Sequence, residues 1–219
     1  LLTNNMSELH SILNNTLLLT QFIAALIGVI YINQLKNSHW KWFSIYLIII
    51  FIQECFWKYY TSIDRDSKFV YYAYIGVTIE YLFFYWLYAY KSQKKKKLFQ
   101  ISILLYVITI GILTVLRNVY EVHSLSINIG SIILIVLIIL EFIKQTKTDN
   151  ILNFRENKMF YINIGLILFY IGSYPFHVFG KELYENYNDI WNIYNAYFLT
   201  TNIIMYLLFS ASFIWGKTR

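Results

Sequence analysis

The sequence predicts an all-α fold: a polytopic membrane protein, a seven-transmembrane-helix bundle with its N-terminus outside and its C-terminus cytoplasmic. Three observations predict it. Of 219 residues, 58% are apolar and 14% are charged, against roughly 25% charged in soluble domains. Several apolar runs approach or exceed the ~20 residues that cross a bilayer. Basic residues then recur in alternate connections, as membrane insertion requires. The apolar content excludes a disordered chain, and the lone Cys55 excludes a disulfide framework.

Charge clusters divide the apolar runs into helices expected at about residues 12–32, 42–59, 69–90, 98–116, 126–143, 159–180 and 190–215. They form a single transmembrane domain over residues 1–219, with no soluble domain. In the first, Ala24, Ala25 and Gly28 have close-packing spacing and mark a helix contact. The second carries Gln53, Glu54 and Lys58 near its end, and the third a stripe of Tyr74, Thr78, Tyr81, Tyr85 and Tyr88. The fourth follows the lysine run Lys94–Lys97. The fifth is apolar around its circumference from Ile132 to Leu140 and is expected to face lipid or a partner protein. The sixth holds the only proline, Pro175, and the seventh a series of asparagines. Trp42, Trp57, Tyr59 and Trp215 stand at span ends as interfacial anchors.

Orientation follows from the loops. Lys36, Lys41, Lys91, Lys94–Lys97, Lys144, Lys147, Arg155, Lys158, Lys217 and Arg219 fall on one side; Arg65, Lys68, Arg117 and Lys181 fall on the other. The richer side is cytoplasmic. Glu8, Asp64, Asp66, Glu121, Glu182, Glu185 and Asp189 fall outside. The net charge of +6 is therefore a membrane-face charge suited to anionic headgroups, and no nucleic-acid partner is expected. No Lys or Arg precedes the first apolar run, so a cleaved signal peptide is not expected. Leu1 is not an initiator, and Met6 is the first candidate start. The chain ends soon after Trp215, so a signal would pass to a separate cytoplasmic or membrane partner. The expected location is a cell membrane, multi-pass, of the bacterial inner-membrane kind.

Ionisable groups inside a span cost about 2.5–3.5 kcal/mol on insertion scales, which makes them functional candidates. Glu54 and Lys58 are spaced i,i+4 with the acid first, the order that favours an ion pair. Glu80 lies deep in its span and needs a proton, a partner or a wet cavity. At 100° per residue, Asn192, Asn195, Asn202, Tyr206 and Ser210 share one arc of the last helix. Asn163, Tyr170, Ser173, Tyr174 and His177 share a similar arc of the sixth. Such arcs turn from lipid towards protein or water. They are read as a polar cavity open to the outside, or else as interhelical hydrogen-bond contacts. Pro175 removes a backbone donor and predicts a kink beside His177. The candidate ligand-binding set is Glu54, Lys58, Glu80, Tyr174, His177, Asn192, Asn195 and Asn202.

Several chemistries fail on the residues. Retinal proteins share the topology, but no lysine lies between Ile190 and Trp215 to form a Schiff base. The four histidines are dispersed, so no metal site is expected. No cofactor is expected either. Cys55, Arg117 and His177 stand near the outer ends of the second, fourth and sixth spans. That order resembles the Cys, Arg, His arrangement of the exosortase family of membrane transpeptidases. The resemblance implies a thiolate nucleophile supported by His and an oxyanion-binding Arg. Cys55 stands in Gln53-Glu54-Cys55-Phe56, without the small residues that family places after its nucleophile, and an inert buried thiol is the other reading. The function expected first is an integral membrane sensor or receptor-like module that binds a small ligand. A small-solute or proton-coupled transporter stands as the alternative, although seven spans form no two equal halves and no internal repeat is visible.

Overall fold

A computed structural model describes residues 2–59, 65–147 and 154–217, apart from the side chains of residues 2–5, 65–66, 175–177 and 181. These residues are helical almost throughout, and no strand is formed among them. The elements are α1 (Leu2–Ile32), α2 (Lys41–Tyr59), α3 (Arg65–Tyr71), a π segment (Tyr72–Gly76), α4 (Val77–Tyr85) and a second π segment (Trp86–Ser92). Then come α5 (Lys96–Leu116), α6 (Val119–Lys147), a 3₁₀ turn (Phe154–Glu156), α7 (Lys158–Asn186) and α8 (Asn188–Trp215). Every apolar run falls in one of these helical stretches, because a backbone in lipid must bond to itself.

The helices outrun the apolar runs. α1 has 31 residues, about 46 Å at 1.5 Å per residue, and begins ten residues before Ile12. Polar end residues continue a helix already nucleated in the apolar segment at little cost. α7 and α8 are joined by Tyr187 alone, with φ −139° and ψ 59°, where the sequence suggests a longer loop. Five helices among the described residues are long and apolar enough to cross a membrane: residues 6–32, α5, α6, residues 158–180 and α8. α2 carries Lys41, Glu54 and Lys58 within its 19 residues. The stretch Arg65–Ser92 is divided by its two π segments into pieces too short to count separately. The composition and these five helices place the protein in a bilayer environment.

The chain divides into two compact units: residues 1–59 with 152–219, and residues 60–151. In the first, α8 packs between α7 and α1, and α1 packs between α8 and α2. Ala24 and Ala25 are buried, and a Cβ on Gly28 would lie 3.3 Å from the Ser44 Cα, so α1 and α2 approach closely at the predicted small residues. A Cβ on Gly165 would sit 3.4 Å from the Met205 backbone, and one on Gly172 2.7 Å from the Tyr197 hydroxyl. These glycines, seven apart, bring α7 against α8. Phe43 on α2 stacks on Phe213 at 5.4 Å and meets Phe209 edge-on at 5.2 Å, closing the aromatic core.

In the second unit, α6 receives α5, α4 and both π segments. Leu134, Leu137 and Ile138 are buried, whereas Ile132, Val136 and Ile139 are exposed. The apolar-all-round stretch thus turns one face inward. Packing in lipid can use an apolar face as readily as lipid can, so composition does not mark it. α5 is the least buried of the five long apolar helices, with Leu104, Leu105, Val115 and Leu116 open. Its Thr109 and Thr114 hydroxyls each donate to the carbonyl four residues back, which satisfies them inside the apolar helix.

Candidate functional site

Glu80 occupies α4, the short α-helical stretch between the two π segments. π turns are uncommon and concentrate at functional positions. α4 is fixed to α6 by its tyrosines: the Tyr81 hydroxyl donates to the Ile127 carbonyl and the Tyr85 hydroxyl to the Gly130 carbonyl, both at 2.9 Å. The Tyr81 ring occupies the space a side chain at position 130 would fill. That is why a glycine stands there.

Around this anchor lies a group of enclosed polar atoms. Tyr106 of α5 is fully buried, its ring tilted against Tyr81 at 5.4 Å and edge-on to Tyr85 at 6.0 Å. Its hydroxyl has the side chains of Thr78 and Ser126 beside it and lies within the electrostatic reach of half-buried Glu80. The Tyr106 Oη and Thr78 Oγ1 nevertheless make no hydrogen bond of normal geometry, and neither does Asn128 Oδ1 on α6. Ser126 Oγ is committed to the His123 carbonyl. These oxygens offer unused hydrogen-bonding capacity beside a carboxylate, an arrangement suited to water, a proton or a small polar ligand.

The first unit gathers most of the other candidates. Lys58 Nζ reaches from α2 to Asn15 Oδ1 of α1 at 2.7 Å. His10 Nε2 meets the Asn192 carbonyl at 3.0 Å, joining α1 to α8, and its ring lies edge-on to Trp191. Glu54, Asn192 and Asn195 are half-buried on α2 and α8. Asn202 is half-buried, with its Oδ1 enclosed and unbonded. Asn163, Tyr170 and Ser173 are buried on α7, whereas Tyr174 is 38% exposed. α7 runs as one helix past position 175, and the side chains of Pro175 and His177 lie outside the described residues. Cys55 is half-buried. Arg117, in the second unit, is exposed and pairs with Glu121 at 3.3 Å.

Two charged groups that the sequence places at a span end, Glu141, or in the loop just before one, Lys158, are buried at the lysine-rich ends. Glu141 of α6 is 2% exposed. It accepts a hydrogen bond from Ser92 Oγ at 2.6 Å and one from Gln145 Nε2 at 3.2 Å, with Lys144 at 3.7 Å. Lys144 also donates to the Ser92 carbonyl at 2.7 Å, tying α6 to the end of the second π segment. Lys158, the first residue of α7, is 4% exposed and donates to the Ser212 carbonyl of α8 at 3.1 Å. Glu141 follows an apolar run and Lys158 precedes one, so both read as rim charges in sequence. Only the partner helix reveals their burial.

Among the described residues no three His, Cys, Asp or Glu side chains are grouped as metal ligands would be. The fold and site define a helical membrane protein with buried polar clusters. No protein-family model, no curated protein and no solved structure matches the chain.

Proposed function

We propose that this protein is an integral membrane sensor or receptor-like module. The reading takes the chain across the membrane seven times, with the N-terminus outside and the C-terminus cytoplasmic. The ordering of lysine and arginine between alternate connections supports that topology, and it suits a multi-pass protein of a bacterial inner membrane. A small polar ligand or a proton engages Glu80 with the Thr78 and Tyr106 hydroxyls, and the response passes to a separate partner. The observation that carries this is the pair of buried, unbonded hydroxyls beside a mid-membrane carboxylate. Hydroxyls in hydrocarbon ordinarily satisfy themselves, as Thr109 and Thr114 do. Thr78 and Tyr106 do not, and what sets them apart from the Ser44 and Ser173 hydroxyls, also unbonded, is the carboxylate beside them. The flanking π segments support a stretch able to shift register on binding.

The test uses purified protein in nanodiscs, titrated from pH 5 to 8 and then screened with free amino acids and small amides as probes. The readout is the thermal unfolding midpoint. Tyr106→Phe alone should cost the unliganded protein less than about 0.5 kcal/mol, because the hydroxyl it removes makes no hydrogen bond of normal geometry. A stabilising proton or probe should lose about tenfold in apparent affinity in Glu80→Gln and in Tyr106→Phe, the worth of one hydrogen bond to a charged group. Equal responses in parent and variants would overturn the assignment. Proton-driven solute flux into proteoliposomes that requires Glu80 would replace the sensor with the carrier.

A further inference from the structure

The lysine-rich end of the first unit carries a cleft of about 390 Å³, lined by Tyr31 at the end of α1, Gln34 in the turn after it, Lys158 of α7, Phe213 of α8, and Lys217 beyond α8. Its floor is a buried cation. Lys158 is 4% exposed; its ammonium donates to the Ser212 carbonyl at 3.1 Å and lies 5.4 Å above the Phe213 ring. Capping the end of α8 uses one of three ammonium donors and leaves the charge unneutralised. Arg117–Glu121, Lys144–Glu141 and Lys217–Glu156 are ion pairs among the described residues, and none of them includes Lys158. A cation so enclosed without a counter-ion is costly, and an anion removes the cost.

The surroundings fit one. No carboxylate lines the cleft; the polar side chains that do are an amide, a phenol and two ammonium groups. Gly216 leaves room for the Lys158 stem to lie against the backbone. The Lys217 amide bonds the Glu156 carbonyl at 2.8 Å and its ammonium pairs with the Glu156 carboxylate, so the wall is fixed to the turn before α7. The N-terminus of α7 adds its positive dipole end. Donors arrive from three separate elements, which suits a tetrahedral oxyanion better than a planar carboxylate.

We propose that this cleft binds a phosphate-bearing anion on Lys158, either a lipid headgroup or a soluble phosphate. The test has two arms with the full chain in nanodiscs. In one, phosphatidylcholine discs are titrated with inorganic phosphate against chloride at equal ionic strength. In the other, the phosphatidylglycerol fraction is raised without phosphate. The thermal midpoint should rise saturably in at least one arm, the phosphate arm marking a soluble ligand and the lipid arm a headgroup. Lys158→Gln should weaken the apparent affinity about tenfold. Gln34→Glu, at an exposed position, puts a competing carboxylate at the cleft without touching Lys158 and should weaken it similarly, even if Lys158→Gln fails to fold. Lys36→Gln, exposed at the same end and outside the lining, should change nothing. Absence of a saturable rise in both arms, persistence of the rise in Gln34→Glu, or equal loss in Lys36→Gln overturns the proposal.

Discussion

Gly130→Ala tests the seam that positions Glu80. A Cβ at position 130 would overlap the Tyr81 ring, its nearest atoms being Cε2, Cδ2 and Cζ. The ring cannot yield freely: Tyr81 is 1% exposed and its hydroxyl is bonded to Ile127 at 2.9 Å. Overpacking a filled interior costs about 1–3 kcal/mol, and pulling the hydroxyl from its carbonyl about 1 kcal/mol more. Alanine recovers up to about 1 kcal/mol of helix propensity over glycine. The net expectation is a loss of about 2 kcal/mol. Gly111→Ala, on the open face of α5 with nothing within 4 Å, keeps the propensity gain without the clash and should be neutral or stabilising by up to ~1 kcal/mol. The assay is reversible unfolding by dodecyl sulfate in mixed micelles, followed by tryptophan fluorescence. Combining Gly130→Ala with Tyr81→Leu should cost less than the sum of the two single changes, because the smaller side chain vacates the clash. Equal stabilities for the two alanine variants, or strict additivity in the cycle, would refute the packing.

Other expectations follow from single contacts. Ser92→Ala should destabilise by about 2 kcal/mol in the same assay, since it removes a bond to a buried carboxylate; a loss under about 0.5 kcal/mol would mean that Glu141 is not held as described. Gly165→Leu should separate α7 from α8 and lower the thermal midpoint, with a loss of about 3 kcal/mol. Gly172→Ala meets the hydroxyl and outer ring edge of exposed Tyr197, which has room to swing aside, and should cost below about 1 kcal/mol; the reverse order would misplace the seam. Topology is checked in a Cys55→Ala background with an impermeant maleimide on intact cells. Glu182→Cys should label and Lys147→Cys should not, and the opposite pattern would invert the orientation. Full biological activity of Cys55→Ala itself would end the transpeptidase reading.

Much of the fold is legible in the sequence because helices in lipid are local objects. An apolar run long enough to span must satisfy its own backbone, so Leu98–Leu116 and Ile190–Trp215 are readable without knowing their neighbours. The site is legible only in pieces. Glu80 stands out as a carboxylate in an apolar run. Its Tyr106 neighbour is 26 positions away, and it looks like one tyrosine among the 21 in the chain. The π segments leave no sequence signature at all; they flank the stretch whose tyrosine hydroxyls bond to carbonyls of α6.

By itself, then, the sequence determined the class of the protein, the approximate helix positions and the sorting of basic residues between connections. Each depends on transfer between water and hydrocarbon, a property of the segment alone. Only the tertiary structure decided which helices group together, with α1, α2, α7 and α8 forming one unit from both ends of the chain. It also decided which face of α6 turns inward, and that Glu141 and Lys158 are interior charges rather than rim charges. Lipid and protein are nearly equivalent solvents for a leucine. Composition therefore cannot choose a helix's partner, and that choice falls to glycine contacts, ring stacking and a few polar bonds between helices.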